Sequence, residues 1–210
     1  MYPARAAYRD DAVANQYDAI RFGTLSGRLI DRLEQQLVAR ALRGLPAGAR
    51  VLDVPAGTGR MTRHLRELGF DPVGADISEA MLRQARQHDG KLPLVLADAE
   101  RLPFPEGAFR AVVAVRLMHH VPPRLRPGML AEFRRVSSGL VVVTYADSRT
   151  VQGTIRRLKA ARDRRRPPIY PATSAEVVGE ARRAGLHLAG NWPMVPGYAS
   201  TRLFALAPAR

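Results

Sequence analysis

Two acidic residues and two glycines between positions 53 and 76 have the types and spacing of a ligand-binding site. Asp53 closes a short apolar run and precedes Gly57 and Gly59, and Asp76 closes a second apolar run. A strand, a Gly-x-Gly turn and a helix in this order let a ligand lie against bare backbone. An acid at the end of the next strand can accept hydrogen bonds from both hydroxyls of a ribose. The arrangement predicts binding of a nucleoside-containing small molecule.

The turn is poorly suited to a dinucleotide. A dinucleotide-binding turn has a third glycine three positions after the second, which lets helix and strand pack closely around a pyrophosphate. Thr62 occupies that position here, and the bulky Arg60 and Met61 follow Gly59 directly. The turn has room for a ribose and a short chain, so it favours a smaller nucleoside cofactor.

The pattern continues beyond the turn, over about residues 45–146. After the run 51–60 and Asp76 come the pair Asp98-Ala99 and the stretch 116–120, which reads Arg-Leu-Met-His-His. Together these motifs resemble those of the class I S-adenosylmethionine-dependent methyltransferases. The resemblance is greatest to the small-molecule branch that includes the ubiquinone and menaquinone methyltransferases. It implies S-adenosyl-L-methionine as the cofactor and a small-molecule or lipid-like methyl acceptor.

The resemblance also implies a role for each acid at a strand end. Asp53 would face the charged methionine portion of the cofactor, Asp76 would bind the ribose hydroxyls, and Asp98 would accept a hydrogen bond from the adenine amino group. Taken singly, each acid can equally be a helix cap or a turn former. Three acids at the ends of three consecutive strands favour a site. The other residues expected at the cofactor are Tyr17, Pro55, Ala56, Gly57, Gly59, Ile77, Ala99 and Arg116.

Pro55 is a departure from the family pattern. It stands where the family usually has the first glycine of Gly-x-Gly-x-Gly, at a position understood to offer its carbonyl to the cofactor's amino group. Proline fixes φ and lacks an N–H but keeps its carbonyl, and strand ends tolerate it. We therefore expect cofactor binding to survive the substitution.

His119 and His120 follow a predicted strand at the mouth of the expected pocket. Because histidine titrates near neutral pH, either is a candidate general base. The alternative is that one packs structurally and the other bonds a loop carbonyl. Two adjacent histidines with no cysteine and no third ligand nearby make a poor metal site, so no metal is expected.

The composition indicates a globular chain without membrane or redox features. Its 210 residues are 46% hydrophobic and include no cysteine, so disulfides and thiolate chemistry are excluded. No apolar run reaches the roughly 18 residues that span a bilayer. Residues 1–21 lack the apolar core of a signal peptide. These features favour the cytoplasm, and the sequence indicates no oligomeric state.

The formal net charge of +14 has two interpretations. Scattered arginines are usually solvated surface residues. Seven cations within residues 156–166 instead form a local cluster, and we call these residues the basic segment. Such a run is either an exposed face or a contact for an acidic partner: an anionic acceptor, an anionic membrane surface or a nucleic acid.

Three functions remain open on this basis. The favoured one is methyl transfer to a small-molecule or lipid-like acceptor. The second keeps the cofactor and makes RNA the acceptor through the basic segment, but no RNA-binding module or Asn-Pro-Pro-Tyr-type motif is present, and positions 115–118 read Val-Arg-Leu-Met. The third is a non-catalytic regulator or partner subunit that binds the cofactor, for which Pro55 is the main argument.

Alternating strands and helices predict an α/β fold with a Rossmann-like doubly wound sheet and helices on both faces. In the resembled family the last two strands form a hairpin, so one antiparallel strand is expected near the C-terminus. The predicted strands are 50–54, 72–76, 93–97, 109–115, 139–145, 186–194 and 201–207. The predicted helices are 5–22, 25–42, 59–69, 78–88, 124–136 and 173–183.

The chain is expected to form one methyltransferase domain over residues 1–210. We divide it into a helical cap (1–45), a cofactor-binding core (46–147), a basic substrate-side insertion (148–172) and a C-terminal helix and hairpin (173–210). Two finer features are predicted. Thr173 and Glu176 have the spacing of a capping box. An apolar stripe is expected along the second helix of the cap, formed by Leu25, Leu29, Leu33, Leu37 and Leu42.

Overall fold

The structure is a computed structural model that describes residues 11–148, 168–195 and 201–209. These residues form six α-helices and seven strands. The helices are α1 (Asp11–Phe22), α2 (Leu25–Leu42), α3 (Arg60–Glu67), α4 (Glu79–His88), α5 (Arg126–Val136) and α6 (Ser174–Arg183). The strands are β1 (Arg50–Asp53), β2 (Asp71–Asp76), β3 (Leu94–Leu96), β4 (Phe109–Ala114), β5 (Ser137–Ala146), β6 (Leu186–Pro193) and β7 (Thr201–Pro208).

All seven strands form one sheet in the order β3-β2-β1-β4-β5-β7-β6. Strands β1 to β5 pair in parallel, and β7 runs antiparallel to both of its neighbours. The predicted Rossmann-like sheet with one antiparallel strand near the C-terminus is therefore confirmed. The strand order reverses between β1 and β4, and in open α/β sheets ligands bind outside the carboxyl ends of the strands at such a point.

The core lies on both faces of the sheet. On one face, α5 and α6 pack their buried side chains against β4 and β5, with Phe133 and Val177 fully buried. On the other face, Val38 and Leu42 of α2 and Leu65 of α3 pack against the sheet. Strand β5 is buried on both sides over Val141–Val143, as a central strand requires.

Most predicted elements agree with the structure to within one or two residues. The capping box is present: the Thr173 hydroxyl accepts from the N–H of Glu176, whose carboxylate accepts from the N–H of Thr173. A 3₁₀ helix over Met118–His120 was not predicted. Residues 5–10 of the first predicted helix, and the whole basic segment, lie outside the described residues.

The predicted apolar stripe of α2 is wrong over its first half. Leu25 is 80% exposed and Leu29 59% exposed, whereas the buried residues of the helix are Glu34, Val38 and Leu42. The helix packs on the sheet only through its second half. Its first half extends past the core, and near its middle Asp31 and Glu34 line a cavity. Within the described residues, no helix is both long and apolar enough to cross a membrane.

Candidate active site

A cavity lies at the carboxyl edge of the sheet, over the ends of β1, β2 and β4. Its walls come from four places in the chain, which the fold brings together at the point where the strand order reverses. The lining includes Tyr17, Phe22, Asp31 and Glu34 of the cap, Asp53, Pro55, Ala56, Gly57, Thr58, Arg60 and Met61 after β1, Asp76 and Ile77 after β2, and Arg116, Leu117 and His120 after β4.

Nine of the residues predicted from the sequence line this cavity, and four do not. The four outside the lining are Gly59, Asp98, Ala99 and His119. Gly59 is the N-cap of α3 at φ 76°, a left-handed conformation that favours glycine, and a Cβ there would lie 2.8 Å from a terminal methyl of Leu92, so local backbone and packing account for this glycine. The Asp98 carboxylate accepts from the N–H of Glu100 at 3.0 Å within a turn.

Asp76 connects the glycine loop to α4. It is 4% exposed, and its two oxygens accept from the backbone N–H groups of Gly57 and Ser78, both at 2.8 Å. Burial raises the pKa of Asp76, while these backbone hydrogen bonds oppose the rise. Each carboxylate oxygen can accept a second hydrogen bond. The acid can therefore hold the loop and bind two ligand hydroxyls together.

Asp53 is buried with half of its carboxylate unsatisfied. It is 1% exposed; Oδ2 accepts from the Thr62 hydroxyl at 2.6 Å, and Oδ1 has no hydrogen-bond partner within the described residues. Burial raises the pKa of Asp53 to about 7, with a further rise from Asp76 and an opposing effect of Thr62. An unsatisfied buried acceptor costs about 1–3 kcal/mol. A ligand donor at this wall of the cavity removes that cost.

Gly57 gives the cavity a wall of bare backbone. Its φ is +54°, and a Cβ at this position would meet no protein atom within 4 Å. The space that a side chain would fill is therefore open. Pro55 and Ala56 also line the cavity, so the unusual proline stands in the wall where the resemblance places it.

Arg116 has a partner that the sequence did not suggest. Its Nε lies 2.9 and 2.8 Å from the two carboxylate oxygens of Glu34, and its Nη2 lies 2.6 Å from Oε2. Burial raises the pKa of Glu34, and Arg116 opposes the rise. Arg116 also has a φ of 60°, rare for a non-glycine residue, and its N–H donates to the Thr144 hydroxyl at 2.7 Å. Such backbone outliers cluster at functional sites.

Three acids of the cap bind residues that line the cavity. Asp18 accepts from the hydroxyl of Thr58 in the glycine loop at 2.9 Å, Asp31 forms an ion pair with Arg60, and Glu34 pairs with Arg116. Sequence reasoning missed all three acids. The available signal was their position on helices of a strongly basic chain, where acids are scarce and have many possible cationic partners.

An aromatic ring of the cap lies between two of these cations. The guanidinium carbon of Arg60 is 3.2 Å from the ring centroid of Phe22, and that of Arg116 is 5.1 Å away. Tyr17 meets the same ring edge-on, with the centroids 6.1 Å apart. Cation–π and edge-to-face contacts of this kind add to the packing of the ring. Tyr17 also packs against the cluster that contains Ala80 and Met81 of α4, so it both docks α1 and lines the cavity.

The two histidines differ in position. His120 is buried and lines the cavity, whereas His119 lies outside the lining, and its carbonyl accepts from the N–H of Tyr170 at 2.7 Å. Their rings are 4.3 Å apart. Of the pair, only His120 is in a position to contact a ligand in the cavity.

Comparisons with known proteins show what this chain is similar to. Residues 51–138 match the family described as "Methyltransferase domain". The demethylmenaquinone methyltransferase of Beutenbergia cavernae is 36% identical over 127 residues, which are 60% of this chain and 51% of that protein. The ubiquinone/menaquinone biosynthesis C-methyltransferase UbiE of Pseudomonas aeruginosa (strain LESB58) is 34% identical over an alignment of 160 residues, which covers 64% of this chain and 60% of that protein.

These matches cover part of each protein. The chain spans about half the length of the curated relatives it matches. Among solved structures, the magnesium protoporphyrin IX methyltransferase ChlM from Synechocystis PCC 6803 with bound SAH has a TM-score of 0.77 over 99% of this chain and 100% of that chain, at 16% identity. That likeness shows a common fold alone. Residues 51–138 of this chain are therefore similar to the methyltransferase domain family, and the chain is similar over part of their length to the demethylmenaquinone and ubiquinone/menaquinone methyltransferases.

Proposed function

We propose that the protein binds S-adenosyl-L-methionine in the cavity and transfers its methyl group to a small-molecule acceptor. The observation that carries the proposal is that Asp53, whose buried Oδ1 has no hydrogen-bond partner within the described residues, lines the same cavity as the open backbone of Gly57. The cofactor has what this wall lacks, an ammonium donor next to a ribose with two hydroxyls. The residues present therefore fit the cofactor.

Each wall of the cavity has a distinct role in the proposal. Asp53 accepts from the ammonium group, Asp76 accepts from the ribose hydroxyls, and Gly57 lets the ligand approach the backbone. Ile77 packs on the adenine. When bound, the cofactor supplies an electrophilic methyl group on a sulfonium that leaves as a neutral thioether. The protein's task is to orient the acceptor and, for a weak nucleophile, to accept a proton.

His120 is the proposed proton acceptor. It is the histidine that lines the cavity, and it lies after β4, on the side away from Asp76. Histidine titrates near neutral pH and can take a proton from an acceptor hydroxyl as the methyl group is transferred. His119 is then a neighbour that packs on its ring.

The proposed acceptor is a quinone-like molecule in its reduced form. Two of the relatives carry names for methylation in the menaquinone and ubiquinone pathways. The cavity is suited to an apolar ring, since Phe22, Met61 and Leu117 contribute to its wall.

We also propose that the chain works in the cytoplasm, as one domain with the four parts defined above. In this proposal the basic segment contacts an anionic acceptor or an anionic membrane surface.

Two experiments test the function. Calorimetry with S-adenosyl-L-methionine and its demethylated product measures cofactor binding, for which we expect micromolar affinity. Incubation with methyl-labelled cofactor and reduced demethylmenaquinone then tests transfer, with transfer RNA as the alternative acceptor. Cofactor binding without transfer to any acceptor favours the non-catalytic regulator, and label on RNA alone favours the RNA enzyme.

A further inference from the structure

A buried arginine stands behind the histidine that lines the cavity. Arg126 of α5 is 1% exposed. Its Nε donates to the carbonyls of Met118 at 3.1 Å and Val121 at 3.0 Å, the residues on either side of the His119-His120 pair. Its Nη2 donates to the carbonyl of Tyr170. One guanidinium thus holds the histidine turn, which we define as residues 118–121, and the segment 168–172 that leads into α6.

The charge of this arginine is balanced by a second buried residue. Glu180 of α6 is 4% exposed, and its Oε1 lies 3.3 Å from Nη1 of Arg126. Its other oxygen accepts from the hydroxyl of Tyr145 at 2.9 Å. Burial and the Glu180 carboxylate raise the pKa of Tyr145 well above its usual range, so the phenol keeps its proton and donates. Fully satisfied networks of this kind rigidify the groups they join.

The segment behind the histidine turn is attached at both ends. The N–H of Tyr170 donates to the carbonyl of His119 at 2.7 Å. Two residues later, the N–H of Ala172 donates to the carbonyl of Ala146 at 2.9 Å, at the end of β5. The segment therefore connects the histidine turn to the sheet, and Arg126 is bonded to both the turn and the segment.

We infer that Arg126 is the positioning residue of the acceptor end of the cavity, because it bonds the two carbonyls on either side of the His119-His120 pair. Arginine suits this task, since its planar fork of five donors can bond three carbonyls and a carboxylate together, which the point charge of lysine cannot. A buried Arg–Glu pair is weak evidence for a role in stability, since apolar replacements are often as stable. Positioning accounts for its presence at this place.

The inference rests on the proposed function for the identity of the ligand beside His120, but not for the geometry. The main variant is Arg126→Lys, which keeps the charge and removes the fork. Tyr145→Phe is the milder variant, because it removes one hydroxyl from the network and preserves the ring. Thermal unfolding of each variant shows whether it is folded.

The same helix provides a matched control. Arg135 of α5 also donates to two loop carbonyls, those of Phe104 and Leu102, and pairs with a glutamate, Glu132. None of these residues lines the cavity. Arg135→Lys therefore removes a fork with a similar set of partners from the same helix, on an arginine whose side chain is 38% exposed, without touching the histidine turn.

Three readouts separate positioning from stability. The first is the pH titration of the His120 ring resonance by NMR, which needs no acceptor. The second is the separate measurement of KM and kcat for reduced demethylmenaquinone. The third is the affinity for S-adenosylhomocysteine, measured by calorimetry. We expect Arg126→Lys to shift the His120 titration and lower kcat/KM for the acceptor by about tenfold or more, since small misplacements near reacting groups are costly. Affinity for S-adenosylhomocysteine should stay within about twofold, and Arg135→Lys should match the wild type in all three.

The outcomes are distinguishable. A folded Arg126→Lys protein whose His120 titration matches that of Arg135→Lys overturns the inference. If Arg126→Lys does not fold, Tyr145→Phe decides, and an unchanged His120 titration in that variant also overturns it. A wild-type protein that transfers no methyl group to the quinol removes the proposed function instead, while the His120 resonance still tests the positioning role.

Discussion

Asp76 and Gly57 are joined by a hydrogen bond of 2.8 Å that links the end of β2 to the loop after β1. The bond lets one carboxylate both shape the glycine loop and face the cavity. Because the proposed ribose contact uses the same group, removing it has a double effect on the ligand.

Asp76→Ala should weaken S-adenosyl-L-methionine binding by about 1–3 kcal/mol, because it leaves ribose hydroxyls poorly paired and releases the Gly57 loop. Calorimetry measures the change. Asp71→Ala is the control, since Asp71 starts the same strand, and its side chain is 60% exposed at the far end from the cavity. Full retention of affinity in Asp76→Ala contradicts the proposed cofactor site.

Gly57→Val should abolish cofactor binding in a folded protein, because the branched side chain projects into the open space of the cavity. Gly69→Val is the matched control: Gly69 has a φ of +84°, and a Cβ there also meets nothing within 4 Å, but it does not line the cavity. Both variants carry the strain of a left-handed residue, about 1–2 kcal/mol. Circular dichroism and calorimetry on the same samples should show loss of binding in Gly57→Val alone.

Cofactor affinity should increase with pH between about 6 and 8, since ionised Asp53 pairs better with the ammonium group and its pKa in the free protein is about 7. Asp53→Asn should bind weakly and lose this pH dependence. Calorimetry across that range measures both. A wild-type affinity that is flat with pH is evidence against Asp53 as the ammonium partner.

The same residue predicts how stability depends on pH. The folded pKa of Asp53 lies above the unfolded value of 3.8, so the protonated form favours folding, and this contribution is lost as pH rises through about 7. Relative to Asp53→Asn, the wild type without cofactor should therefore lose stability between about pH 4 and 8. Urea unfolding of the two proteins at several pH values compares them, and equal pH dependence contradicts the raised pKa.

Glu34→Gln should destabilise the protein by about 2 kcal/mol, since it leaves the largely buried Arg116 without its charged partner. The figure is below the range of about 3–5 kcal/mol for fully buried pairs, because 18% of the Arg116 side chain is exposed. Asp71→Asn, which breaks the exposed pair with Arg50, should cost about 1 kcal/mol or less. Urea unfolding measures both, and a loss no larger in Glu34→Gln than in Asp71→Asn argues against the Glu34–Arg116 pair as a clamp on the cap.

Sequence reasoning succeeded where the chemistry is local. The acid, the turn and the helix that surround Asp53 lie within about ten positions, and the capping box of Thr173 spans four. The mostly parallel sheet, with one antiparallel strand near the C-terminus, followed from alternation and from the resemblance. Such features depend on neighbours along the chain, so a single sequence shows them.

The contacts of the cap could not be predicted in this way. Glu34 and Arg116 are 82 positions apart, and in a chain with 33 Lys and Arg residues nothing local selects one cation over another. The apolar stripe of α2 misled for a related reason. Helical periodicity shows that a face is apolar, but it does not show how far along the helix the core extends, and Leu25 and Leu29 lie beyond it.

The pairing of Asp147 with Ala172 has a consequence for how this protein can change. These two residues are 25 positions apart in the chain and lie side by side at the end of β5. The sheet therefore fixes both ends of the stretch between them. The entropic cost of closing a loop between fixed ends grows slowly with its length. We therefore expect insertions, deletions and exchanges between Asp147 and Ala172 to leave the sheet unchanged.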